Sequence, residues 1–248
     1  MPSAPPPKLD PASLAASPLF AGLSTAAVEE AADLGRVRRV PRDHVLFEQG
    51  APADALHLVL AGRLRVARGT DAGERQVLRF VGPGLPAGVL ALLGADQHYP
   101  ATASAAGGDA VVLSWEGAAL RRLAERHPAL LANAMRALSG RAQEAHERLA
   151  EMAAEPVERR LARALLRLVR DAADGAGGAA AAAPTAAPIR LAVSRQELAD
   201  MAGTTLATAS RVLSRWRRAG VLGGAPGRVR VEVREPATLA RLAEGGGR

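Results

Sequence analysis

The residues whose types and spacing could do chemistry lie near the C-terminal end of the 248-residue chain. A helical period from Leu206 to Arg218 places Ala209, Val212, Leu213 and Trp216 on one face at i, i+3, i+4 and i+7. The other face carries Thr208, Ser210, Arg211, Ser214, Arg215 and Arg218. Such a surface suits a polyanion, because a guanidinium makes paired hydrogen bonds to phosphate or to the O6 and N7 edge of guanine, and hydroxyls add single ones. A solvated helical hairpin without a nucleic-acid role is the plainer reading of the same pattern, and the charge distribution weighs against it. From Pro156 to Arg248 there are 16 basic residues against 8 acidic, net +8, whereas Met1 to Glu155 carries 16 against 17, net −1. The whole +7 excess therefore sits in the part that holds this helix, as expected for a neutral module joined to one that binds nucleic acid. Lys8 is the only lysine, a bias that a GC-rich coding sequence explains without reference to function.

Other chemistries have fewer residues to work with. With no cysteine, the chain has no thiol nucleophile, no disulfide framework and no thiolate ligands for zinc or an iron–sulfur cluster. A metal-dependent enzyme in the N-terminal part would need a His/Glu cluster on adjacent strands, and His44, Glu48 and His57 are the only candidates. Glu48 belongs to a Glu-Gln-Gly turn, so no enzyme is expected. No apolar stretch reaches the roughly 20 residues of a membrane span, and Met1–Pro7 lacks the basic and apolar regions of a signal peptide, which leads us to expect a cytoplasmic protein.

Several elements must position the basic helix. Ser194, with Glu197 three residues on, forms a capping box that starts a short helix through Leu198 and Met201, and Gly203 stops it. Thr204 or Thr205 then caps the basic helix, completing a helix-turn-helix layout. Val221–Leu222 and the alternating Arg228–Val233 predict a two-stranded wing with Val229, Val231 and Val233 inward and its arginines free to reach phosphates. Upstream, Leu131, Met135, Leu138, Ala142, Ala145, Leu149 and Met152 recur at spacings of 4, 3, 4, 3, 4, 3 on one helix. This three-heptad seam packs either on a copy of itself or on its own domain. Pro156 ends it, and Leu161, Leu165, Leu168 and Val169 mark a second amphipathic helix. Asp174–Pro188, nearly all Ala and Gly, reads as a low-complexity insert.

The N-terminal part begins as a Pro/Ala arm, followed by a helical stretch in which Phe20, Leu23, Val28 and Leu34 supply the expected buried stripe. Short runs separated by turn residues then predict strands at Val45–Phe47, Leu56–Leu60, Leu64–Arg68, Gln76–Val81 and Ala110–Trp115. Their close spacing argues for an antiparallel sandwich or barrel.

The order of β-rich module, heptad helix and winged helix, with Leu19-Phe20-Ala21-Gly22-Leu23, Leu46-Phe47-Glu48-Gln49-Gly50, Leu58-Val59-Leu60-Ala61-Gly62-Arg63-Leu64 and Val193-Ser194-Arg195-Gln196-Glu197-Leu198-Ala199, resembles the Crp/Fnr family of bacterial transcription regulators over about residues 12–244. The resemblance implies an α+β chain: a β-jelly-roll (double-stranded β-helix) sensor at 12–127, a dimerisation helix at 128–155 and a winged helix-turn-helix at 156–248. It also implies a homodimer on a two-fold symmetric double-stranded operator, acting with RNA polymerase. The DNA-facing residues would be Ser194, Arg195, Gln196, Thr205, Leu206, Ala207, Thr208, Ser210, Arg211 and Arg215, with Ser210 and Arg211 matching base readers of the Fnr branch. Ala207 departs from the family, standing where a base-reading glutamate is usual.

The sensor departs further. Family members that bind cyclic AMP use a Gly-Glu-Leu turn for the ribose and an Arg-Ser pair for the phosphate, whereas this chain reads Gly88-Val89-Leu90 and then His98-Tyr99-Pro100-Ala101-Thr102. A buried phosphate without a guanidinium is costly, so cyclic AMP is not the expected signal. The Fnr branch's iron–sulfur route is closed by the lack of cysteine. Two alternatives stay open: haem ligated by a histidine, His98 first among His44, His57, His98, His127 and His146, or a sensor without a ligand. Gly88, Val89, Leu90, His98, Tyr99 and Thr102 are the candidate effector pocket, although Tyr99 and Trp115 also read as packing residues.

Overall fold

Alternation of apolar and polar residues between Arg36 and Glu116 produces eight short strands, of which β3 is the most apolar: Leu56, His57, Leu58 and Val59 are consecutive and all buried, so both of its faces are covered. The computed structural model describes residues 14–69, 75–174, 188–223 and 231–245. The strands are β1 (Arg36–Val40), β2 (Val45–Phe47), β3 (Ala55–Ala61), β4 (Leu64–Gly69), β5 (Arg75–Val81), β6 (Pro86–Ala87), β7 (Thr102–Ala105) and β8 (Ala110–Glu116). They form two four-stranded sheets, ordered β1-β8-β3-β6 and β2-β7-β4-β5, and the ladders β1·β8, β3·β8, β3·β6, β2·β7 and β4·β7 are all antiparallel.

Contacts divide the chain into two units, Met1–Gly73 with Phe80–Gln143, and Glu74–Arg79 with Glu144–Arg248. In the first, helix α1 (Thr25–Leu34) and helix α2 (Gly117–Arg126) accompany the sheets. The Trp115 indole N–H donates to the Ala31 carbonyl at 2.6 Å, and its ring lies 5.7 Å from that of Phe20, tying α1 and the preceding turn to β8. Phe20 and Val28 are buried and Leu23 partly so, but Leu34 is 40% exposed rather than part of the stripe. Gly35 sits so close to Leu113 and Trp115 that backbone fills the core position at the end of α1, and Leu34 is turned outward.

Helix α3 (Pro128–Ala154) passes from the first unit into the second. Its first turns are held by Leu130 and Ala134 and by Asn133, whose amide donates to the carbonyls of Leu19 and Ala21 at 2.9 and 2.8 Å. In the second unit Pro156 separates α3 from α4 (Val157–Asp174), which buries Leu161, Ala162, Ala164, Leu165 and Leu168. Arg163 bonds both Glu155 carboxylate oxygens and Arg167 those of Glu151, fixing α4 against the end of α3. Helices α5 (Arg195–Met201), α6 (Leu206–Arg218) and α7 (Pro236–Glu244) follow, with a sheet ordered β10 (Leu222–Gly223), β11 (Val231–Val233), β9 (Ile189–Leu191). Three strands thus stand where the sequence suggested two, because Ile189–Leu191 pairs antiparallel with Val233–Val231. Val231 and Val233 face inward as expected. Val229, Arg228 and Arg230 lie outside the described residues, as do most of Asp174–Pro188 and the N-terminal arm. No helix among the described residues is long and apolar enough to cross a membrane.

Candidate nucleic-acid interface

Helix α5 starts where the sequence places it: Ser194 Oγ accepts from the Glu197 N–H at 3.1 Å and Glu197 accepts from the Ser194 N–H at 2.7 Å. Both partners of the capping box are thereby occupied. Gln196 is exposed and donates to Asp200 at 2.7 Å, while Arg195 is half-buried. The turn that follows needs glycine for its left-handed backbone. Gly203 has φ +59°, and a Cβ there would stand 2.9 Å from the Met152 side chain. Arg160 locks the same turn, donating to the carbonyls of Met152 at 3.1 Å and Gly203 at 3.2 Å.

Of the two candidate caps for α6, Thr205 is the one used, its Oγ1 accepting from the Thr208 N–H at 3.2 Å. Ala209, Leu213 and Trp216 are buried and Val212 half-buried, which orients the helix. Thr205, Leu206, Ala207, Arg211 and Arg215 are exposed, and Thr208 and Ser210 half-exposed, so the structure brings these candidate residues onto one accessible surface at the start and middle of α6. Arg211 makes no ion pair among the described residues. Arg215 does: its guanidinium binds Glu158 of α4, a residue that nothing in the sequence singles out, since the partners are far apart in the chain.

The heptad seam is the second candidate surface. Leu131, Met135, Ala142, Ala145, Leu149 and Met152 are exposed, and Leu138 alone is half-buried, packed against the core of the first unit. Leu149 reaches 64% exposure. These residues leave an exposed apolar row along one helix.

The candidate effector residues take a different form. Gly88 (φ +73°) opens a 3-10 turn, Val89–Leu92, and a Cβ there would stand 2.7 Å from the Ala55 carbonyl oxygen and 3.1 Å from the Tyr99 ring. Val89 and Tyr99 are 1% and 3% exposed and belong to the core cluster. Tyr99 stacks on Phe47 at 4.0 Å, and Phe47 on His57 at 5.7 Å. The Tyr99 hydroxyl donates to the Ala55 carbonyl at 2.7 Å and accepts from the Ala55 N–H at 3.1 Å. Burial pushes this phenol up to about 12. Burial likewise brings His57 down to about 4, so at neutral pH it is an uncharged partner for Ser114 Oγ, 2.8 Å from its Nδ1. Leu90 and Thr102 are half-buried, and Thr102 Oγ1 accepts from the Gln49 N–H at 3.0 Å. His98 is exposed, its Nδ1 3.1 Å from the Asp96 carbonyl oxygen. Among the described residues no three His, Asp or Glu side chains are grouped to hold a metal ion.

Two family models match the chain, a cyclic nucleotide-binding domain at residues 37–127 and a Crp-like helix-turn-helix domain at residues 159–242. The chain is 33% identical over 229 residues to the cyclic AMP receptor protein of Thermus thermophilus, covering 92% of this chain and 98% of that one. It is 29% identical over 189 residues to the transcriptional activator protein anr of Pseudomonas aeruginosa, covering 75% and 72%. Among solved structures, FixK2 of Bradyrhizobium japonicum is similar with a TM-score of 0.69 at 22% identity over 84% of this chain and 96% of that one. The catabolite activator protein of Thermus thermophilus is similar with a TM-score of 0.51 at 32% identity over 93% and 100%. With a β-sandwich ahead of a helix-turn-helix and a relative of this identity along nearly its whole length, the chain belongs to the CRP/FNR family of DNA-binding transcriptional regulators.

Proposed function

We propose that the chain is a homodimeric regulator that reads a two-fold symmetric operator through α6, acts with RNA polymerase in the cytoplasm, and is not switched by cyclic AMP. The exposed face of α6 carries this reading: Thr205, Thr208, Ser210 and Arg211, which has no ion pair among the described residues, are held out on a helix whose other face is anchored by Leu213 and Trp216. A helix with this face fits the major groove, where Arg211 meets a guanine edge and the threonines and Ser210 meet bases or phosphates. The apolar row on α3 supports the dimer, since two copies packed seam to seam bury Leu131, Met135, Leu149 and Met152 and pair the two reading helices.

The relative named for cyclic AMP makes that nucleotide the first signal to test. Against it stand buried Val89 in place of a ribose-binding glutamate, the Tyr99–Phe47 stack, and the absence of any arginine from His98 to Thr102. The test is fluorescence anisotropy of the full chain on a duplex enriched from a random pool, with and without 1 mM-scale cyclic AMP. We expect tight binding that cyclic AMP leaves unchanged within twofold. A gain of tenfold or more, about 1.4 kcal/mol, would overturn the account of the sensor, and failure to enrich any duplex would overturn the DNA-reading role.

A further inference from the structure

We infer that Glu158 is a specificity-determining residue that withholds Arg215 from DNA, an inference that rests on the proposed role of α6 as the reading helix. Arg215 lies one helical repeat beyond Arg211 and two beyond Ala207, on the exposed side of α6. On geometry alone it belongs with the DNA-facing residues. Its guanidinium nevertheless binds Glu158 Oε1. The same oxygen accepts the Trp216 indole N–H at 3.0 Å. Trp216 is 3% exposed and part of the packed face of α6, so the carboxylate is oriented by the domain core. Glu158 is also in the first turn of α4, where the helix dipole favours an anion. The carboxylate is thus held in place from two sides before Arg215 arrives.

A pair this exposed adds little to folding. Its consequence lies in what α6 offers to DNA. Phosphate contacts supply affinity for any sequence, whereas base contacts supply discrimination. Neutralising Arg215 removes one phosphate-seeking charge per protomer from the later turns of the helix and leaves Thr205 to Arg211 untouched. Random DNA is bound more weakly, and the operator keeps its base contacts.

The experiment compares operator and random duplexes across salt concentrations for the full-length chain and its variants. Glu158→Gln keeps an acceptor for Trp216 and removes the charge. It is expected to raise random-duplex affinity several-fold, to steepen the log–log salt slope by about 0.9 per protomer, and to lower the operator-to-random ratio. In an Arg215→Gln background the same substitution should change neither slope nor ratio. Arg215→Gln alone should leave the wild-type slope nearly unchanged, a readout that does not depend on how well any Glu158 variant folds. The inference is overturned if Glu158→Gln leaves the slope as it was, if it acts equally without Arg215, or if Arg215→Gln alone flattens the slope by about one contact per protomer. A purely structural Glu158 would instead lower the Tm and weaken both duplexes alike. A wild-type chain with no preference for any duplex refutes the base-reading role of α6, a result distinct from each of these.

Discussion

Helix α6, proposed as the reading helix, and the aromatic layer around Tyr99 are built from opposite uses of polar side chains. On α6 the polar groups are outside and only partly engaged: Arg211 is unpaired among the described residues, and Thr205 and Thr208 are tied only to each other at the cap. Around Tyr99 they are inside and fully engaged, with the phenol bonded to the Ala55 backbone and His57 to Ser114. Among the described residues, the exposed face of α6 keeps polar groups open to solvent, whereas those around Tyr99 are bonded within the fold. A surface with unspent hydrogen-bonding capacity is poised to bind, whereas a layer whose donors already have acceptors within the fold contributes stability.

Three perturbations would break or sharpen this contrast. The largest is Leu149→Glu. Leu149 is 64% exposed in the protomer, so folding of a single chain should be little changed, but a charge buried in a paired seam is costly. We expect a monomer by sedimentation and an operator affinity reduced by about a hundredfold or more, the avidity lost when two half-sites are no longer linked. A dimer of unchanged affinity would remove the seam from the DNA-reading assembly.

Of similar size is the pH dependence of stability. His57 has a folded pKa of about 4 against 6.5 unfolded, so the unfolded chain binds the proton more readily between those values. Stability from this group is fully present above pH 6.5 and is lost as pH falls toward 4, a change of about 3 kcal/mol. Urea unfolding of wild type and His57→Gln at pH 7 and pH 4 should show that the variant lacks this component. Equal pH dependence in both would mean that the layer around Tyr99 admits water and is less packed than described.

The third is Arg211→Ala, expected to cost about 1–3 kcal/mol on an operator whose half-site holds the guanine it reads, and to weaken random DNA far less. Equal losses on the two would make Arg211 a phosphate contact, and would leave α6 with no side chain distinguished by sequence reading.

How much of this was legible in the sequence follows from the range of the interactions. The capping box at Ser194, the faces of α6 and the row on α3 are set by residues three or four apart, and each stands where its spacing put it. Strands β3, β4, β5 and β8 were visible through alternation and turn glycines. Strand β9 was not, because three residues acquire meaning only by pairing with Val231–Val233 about forty positions later. Helix α7 carries a readable signal in Pro236 at its start, Gly245 at its end and apolar Leu239 and Ala243 four apart. Resemblance offered Tyr99 and Val89 as pocket residues, but whether such residues line a space or fill it depends on Phe47 and His57 from other strands. The Glu158–Arg215 pair was hidden for the same reason.

The most direct test of the central account, that two copies of α6 read DNA in a symmetric pair, is enrichment of bound duplexes from a random pool by the full-length chain, followed by alignment of their sequences. The account predicts an inverted repeat whose half-sites are centred about one helical turn apart, roughly 10 base pairs, each with a guanine lost from the consensus when Arg211→Ala is used. A single unrepeated motif, or a pool with no shared sequence, would contradict it.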